Sequence, residues 1–164
     1  MIEIIILSVL IVTFCAFFVY FNYFNNTDKI SFKESIDLTN LPVITLKQGN
    51  NKVNFLLDTG STDSTINAGV LDRLDYKKTE HLGNMFGFDG KPIETTYVEM
   101  DFYYNKIQYK ELFQVVDMST AFNTIKEQSG VNIHGILGNS FFERYNYIID
   151  FQKLIAYGKN KIKL

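Results

Sequence analysis

A chain of 164 residues holds one domain with a substantial core and leaves little room for a second. Its composition, 46% hydrophobic and 21% charged, excludes wholesale disorder. The formal net charge of −2, without a basic stripe, argues against a nucleic-acid partner, and the single Cys15 excludes an intrachain disulfide.

The first segment, Ile4 to Phe24, reads IIILSVLIVTFCAFFVYFNYF and carries no charge. As a helix of roughly 21 residues at ~1.5 Å each it spans about 31 Å, the thickness of a hydrocarbon core. Tyr20 and Tyr23 stand at its exit end, where amphipathic rings favour an interface. A cleaved signal peptide wants a basic lead-in and a small-residue cleavage site, whereas Glu3 leads in here and bulky aromatics close the run. The expectation is therefore a single-pass N-terminal transmembrane anchor within residues 1–25, with membrane attachment through residues 4–24. Lys29 and Lys33 follow the segment and no Lys or Arg precedes it, which leaves the side of the membrane open. Residues 26–40 are polar and read as a tether, and residues 41–164 as the folded domain.

Strand patterns dominate the domain. Pro42–Leu46 is followed by the turn signal Gly49-Asn50-Asn51, and Lys52–Leu57 alternates with Val53, Phe55 and Leu57 on one face. Ser64–Asn67 reads as a short strand and Ala68–Leu74 as a helical turn or two. Met85–Gly90 sets two glycines around an aromatic tip, and Ile93–Tyr104 and Tyr109–Val116 form a long β-rich pair. Ser119–Gln128 has helical spacing and stops at Gly130. Ile133–Leu137, a short helix start at Ser140–Glu143, Tyr145–Phe151 and Leu154–Tyr157 complete the chain. Many short strands with turn signals predict an all-β barrel or sandwich.

Chemistry concentrates at Asp58-Thr59-Gly60-Ser61, directly after the apolar strand. A carboxylate at the edge of a core is partly desolvated and suits acid–base work. Gly60 permits a sharp turn, and Thr59 and Ser61 bring hydroxyls able to hold the carboxylate. The same residues also make an ordinary β-turn at a strand end. His81 and His134 are far apart and have no Cys cluster or His-Glu-x-x-His run beside them, so no metal is expected and His134 reads as structural.

The stretch Asn54 to Ser64 resembles the active-site loop of aspartic peptidases, in which an Asp-Thr/Ser-Gly-Ser/Ala element follows an apolar strand. About 80 positions further on, His134-Gly135-Ile136-Leu137-Gly138-Asn139-Ser140-Phe141-Phe142 is similar to that family's hydrophobic-hydrophobic-Gly element, which threads beside the catalytic loop. Ile148–Phe151 with Leu154–Tyr157 resembles the closing hairpin of the bacterial and retroviral-like members. Phe86, Gly87, Phe88, Asp89 and Gly90 lie where the family places its flap, although the two glycines are separated by Phe88 and Asp89 and the tip is less glycine-rich than in viral enzymes.

The resemblance covers Leu41 to Tyr157 and implies a retropepsin-like acid-protease barrel with one or two short helices, after the N-terminal transmembrane helix. It implies an aspartic endopeptidase acting on peptide or protein substrates without metal or cofactor. With a single Asp-Thr-Gly copy, it further implies a homodimer in which two Asp58 side chains form the catalytic dyad. Thr59 is then expected to bond across the interface, and Gly60 and Ser61 to orient the carboxylates. Gly135, Ile136, Leu137 and Gly138 would line the loop beside them. The alternative from another class is a non-catalytic module that binds a peptide or partner on the same fold.

Overall fold

The computed structural model describes residues 11–17, 29–86 and 92–158. Among the described residues, ten strands carry the domain. In chain order they are β1 (Ile30–Ser31), β2 (Val43–Gln48), β3 (Asn51–Leu57), β4 (Ser64–Asn67), β5 (Lys77–Phe86), β6 (Pro92–Tyr104), β7 (Ile107–Val116), β8 (Gly135–Leu137), β9 (Tyr147–Asp150) and β10 (Ile155–Gly158). The helices are α1 (Lys33–Thr39), α2 (Ser119–Ser129) and α3 (Asn139–Tyr145), with a 3-10 helix at Ala68–Arg73.

Seven strands run in the order β2-β3-β8-β4-β7-β6-β5, and β2 also pairs with β6 through Lys47 and Tyr103, so six of them close into a ring. The hairpin β2–β3 turns at Gly49, whose φ of 55° lies in the left-handed region that glycine tolerates. Val53, Phe55 and Leu57 then face inward together, as a period of two requires. Inside, the rings of Phe55, Phe102 and Phe113 meet at 5.0–5.7 Å and join β3, β6 and β7. Each is essentially inaccessible and contributes roughly 1.5–3 kcal/mol by burial. A second aromatic cluster sets Phe141 of α3 against Tyr109, Tyr145 and Tyr147, fixing the helix on the barrel wall.

The two central pairings of the ring are the ones that shape the site. β3 runs parallel to β8, with Leu57 beside Leu137, and β4 runs antiparallel to the same short strand. Strand β8 is therefore wedged between the strand that enters the Asp58 loop and the strand that leaves it.

Several expectations differ from the structure. Among the described residues, no helix is long and apolar enough to cross a membrane. Of the N-terminal segment, residues 11–17 are described and are helical. The single-pass anchor of residues 4–24, and the membrane localisation drawn from it, are corrected accordingly; the rest of that segment lies outside the described residues. An apolar run states what a segment can tolerate, and says less about how far a helix extends. The domain is mostly β, but it carries three short helices and a 3-10 turn where one or two helices were expected. In the stretch read as a polar tether, β1 pairs with β10 and β10 with β9 in a separate three-stranded sheet. Ile30 and Phe32 there are buried at 4% and 1% exposure. Strand β5 escaped the sequence reading because it is polar along most of its length.

Candidate active site

Asp58 stands at the end of β3, where the buried run Val53, Phe55, Leu57 delivers it half-exposed to the surface. Its own N–H donates to Leu137 C=O (3.1 Å), which fastens the start of the loop to β8. Among the described residues, the hydrogen bond to its carboxylate comes from Gly60 N–H, 2.9 Å from Oδ1. A Cβ at position 60 would come 3.2 Å from that oxygen, so glycine lets the backbone amide approach closely. The Ser61 N–H donates to Asp58 C=O (3.2 Å) and closes the turn. The Ser61 hydroxyl, expected on the carboxylate, instead donates to the backbone carbonyl of Asp63 (2.8 Å). Thr59 is exposed, and its carbonyl accepts from Asn139 Nδ2 (3.1 Å).

The far side of the loop rests on the segment after β8. Asn139 N–H donates to Ser61 C=O (2.9 Å) and Ser140 N–H to Thr62 C=O (3.0 Å). Such contact needs a glycine at 138: a Cβ there would sit 2.5 Å from Asp63 O and 2.8 Å from Ser61 O, both rigid backbone atoms. Gly135 is constrained in the same way, its Cβ position lying 2.5 Å from Thr65 O. The residues 58–61 and 135–138, far apart in sequence, are thus brought into one braced unit.

The β5–β6 hairpin rises beside this unit. Its arms are described as far as Phe86 and Pro92, which pair with one another; Gly87, Phe88, Asp89 and Gly90 of the expected flap lie outside the described residues. Tyr97 of β6 donates through its hydroxyl to Asp63 Oδ2 (3.3 Å), linking the hairpin to the loop. Burial and the neighbouring Asp63 carboxylate both push the Tyr97 phenol above its ordinary value.

Two features escaped the sequence reading. Glu111 of β7 is 1% exposed and accepts from Ser64 Oγ (3.1 Å) and Ser140 Oγ (2.9 Å) at the same oxygen, Oε1. Its other oxygen lies 3.5 Å from Arg144 Nη1. Burial raises its pKa, opposed by the Ser140 hydrogen bond, Arg144 and the Ser64 hydrogen bond. The second is the extent of the His134 network. Its Nδ1 accepts from Asn54 N–H (2.8 Å) on β3, which puts the proton of the neutral ring on Nε2. Nε2 lies 2.9 Å from Asn132 Nδ2, and the side-chain amide accepts that proton once turned over so that its oxygen faces the ring. Burial, then the charges of Arg73 and Lys126, lower the His134 pKa from 6.5 to about 4. The signal that could have found Glu111 is its phase: it shares the inward-facing parity of Tyr109 and Phe113 on β7.

A family model described as aspartyl protease matches residues 43–141, more than half of the chain. Among solved structures the chain is similar to an EIAV protease complexed with an inhibitor, at 20% identity and a TM-score of 0.48 over 65% of this chain and 88% of that one. It is also similar to a retropepsin-like aspartic protease from Rickettsia conorii, at 19% identity and a TM-score of 0.41 over 70% and 80%. No curated protein matches it. The matched residues begin at β2 and run through the Asp58 loop, the β5–β6 hairpin and β8 into α3. On this match the chain belongs to the aspartyl protease family, and its general function is that of a protease.

Proposed function

We propose that this chain is an aspartic endopeptidase whose catalytic centre forms when two copies bring their Asp58 loops together. The observation that carries the reading is a half-made site. One Asp-Thr-Gly-Ser loop is braced on both sides by backbone hydrogen bonds and presents one half-exposed carboxylate. Activation of water by this chemistry needs two carboxylates at contact distance, one charged and one protonated, because neighbouring like charges do not both ionise. The sequence contains a single Asp-Thr-Gly, so the second carboxylate comes from a second chain.

In that dimer the charged Asp58 takes a proton from the attacking water. The protonated Asp58 donates to the oxygen of the scissile carbonyl, and the roles exchange as the tetrahedral intermediate collapses. Exposed Thr59 stands next to Asp58 and meets its counterpart across the two-fold axis. Gly60 orients the carboxylate by its N–H, and Ser61 keeps the turn closed. Residues Gly135 to Gly138 support the loop floor. The flap expected at Phe86 to Gly90, of which residues 87–90 lie outside the described residues, would cover an extended peptide.

The test is cleavage of a mixed peptide library by the full chain, wild type beside Asp58→Asn, at several pH values and protein concentrations. Cleavage that disappears in the variant and rises faster than linearly with protein concentration is the expected result. A folded, dimeric wild type that cleaves nothing sinks the reading and leaves a peptide-binding module in its place.

A further inference from the structure

We propose that Glu111 is a positioning residue for the reaction: one carboxylate oxygen holds two serine hydroxyls, and through them the backbone that braces the Asp58 loop. The inference rests on the peptidase reading of Asp58, from which Glu111 is separated by an intervening layer of loop.

The directions of the hydrogen bonds follow from donor counting. Ser64 Oγ accepts from Gly138 N–H (3.2 Å), and Ser140 Oγ accepts from Ser64 N–H (3.2 Å). Each hydroxyl has one proton left, and Glu111 Oε1 lies within reach of both, at 3.1 and 2.9 Å. A hydroxyl rotor fixed by a strong acceptor presents its lone pair in a fixed direction, here toward the two backbone amides. The amides in question flank the loop: Gly138 N–H precedes the contacts made by Asn139 and Ser140 to Ser61 and Thr62, and Ser64 ends the loop itself. The chain of contacts runs Glu111, Ser64 and Ser140, Gly138 to Ser140, then residues 58–63.

A carboxylate buried at 1% exposure costs stability, and an apolar residue in an alternating strand would fill the same place more cheaply. Arg144, itself half-exposed, offsets only part of that cost from 3.5 Å. The remaining use of the charge is to point two hydroxyls. An active-site loop displaced by about 1 Å loses on the order of a hundredfold in rate, so the orientation bears directly on turnover.

The experiment compares Glu111→Leu and Glu111→Gln in the full chain, with two readouts. Amide hydrogen exchange at Ser64, Gly138 and Ser140 should accelerate by about tenfold or more in Glu111→Leu. Glu111→Gln, whose amide oxygen still accepts from both serines, should restore protection. In peptide cleavage, Glu111→Leu should lower kcat by about 10- to 100-fold with KM within a factor of about two, and Glu111→Gln should recover most of the rate. Should Glu111→Leu fail to fold, Ser140→Ala removes one arm alone and should give the same pattern in weaker form. Unchanged exchange and kcat in Glu111→Leu or Ser140→Ala overturn the proposal, as does a Glu111→Gln variant no better than Glu111→Leu. If wild type cleaves nothing while the exchange pattern appears as expected, the peptidase reading falls and the brace stands.

Discussion

Acid should destabilise this protein in part through one buried ring, His134. In the folded chain the ring is buried at 6% exposure and its pKa lies at about 4, against 6.5 when free. The unfolded chain therefore binds the extra proton between those values, and stability falls as pH falls through that window. A difference of about 2.5 units at ~1.36 kcal/mol each gives about 3 kcal/mol, present in full above pH 6.5 and lost by about pH 4. That is a large share of the roughly 5–15 kcal/mol that holds a domain together. The geometry gives a second reason for the direction: a protonated Nδ1 would point a hydrogen at the Asn54 N–H, 2.8 Å away, where it now accepts one. Glu111 works the other way, because a raised carboxylate pKa makes the folded state hold its proton and gain stability on acidification. Comparison with His134→Gln cancels that contribution, since the glutamine oxygen can accept the same Asn54 N–H and does not titrate. Urea unfolding followed by tyrosine fluorescence suits a chain with ten Tyr and no Trp. At fixed protein concentration, the wild type should lose about 3 kcal/mol more than His134→Gln between pH 7 and pH 4. Parallel pH dependences in the two proteins would refute the assignment of the acid-sensitive step to this ring.

Four further perturbations are informative. Gly138→Ala places a methyl 2.5 Å from the Asp63 carbonyl oxygen and should cost about 1–3 kcal/mol in urea unfolding, with cleavage lost before the fold is; wild-type stability in the variant would contradict the close packing. Tyr97→Phe removes the 3.3 Å bond to Asp63 and should cost at most about 1 kcal/mol while raising KM, as peptide titration would reveal. Gly83→Ala tests the same link from the other side, because its Cβ would lie 2.6 Å from the Tyr97 ring; a KM equal to that of wild type speaks against the link. Phe113→Ala empties the centre of the aromatic trio and should lower stability by about 3–5 kcal/mol in thermal or denaturant unfolding, with a smaller loss showing that the core closes over the gap.

The parts of this molecule that were legible in sequence are those in which neighbours along the chain decide the outcome. Val53, Phe55 and Leu57 alternate cleanly, Gly49 marks the turn, and the Asp58 loop announces itself at the strand end. Strand β5 was illegible because its hairpin projects from the barrel, so residues such as Lys78, Glu80 and Asn84 meet solvent and no alternation is imposed. For Glu111 the side of the strand is readable, since it is in phase with Tyr109 and Phe113, but its partners are not: Ser64 and Ser140 lie 47 residues before it and 29 after. The N-terminal run was read as a membrane span from hydropathy alone, whereas among the described residues no helix is long and apolar enough to cross.

The parallel alignment of β3 with β8 has a consequence for the order of events during synthesis. Asn54 and His134, which bond across that seam, are 80 residues apart, and Asn139 reaches back to Thr59 over the same distance. A nascent chain can form the β2–β3 hairpin early, since its partners are local, but the loop carrying Asp58 lacks its floor until residues 135–140 have emerged. At translation rates of roughly 5–20 residues per second, several seconds separate the appearance of the aspartate from the arrival of its support. The Asp58 loop is therefore fully braced only after the whole stretch from residue 58 to residue 140 has been made.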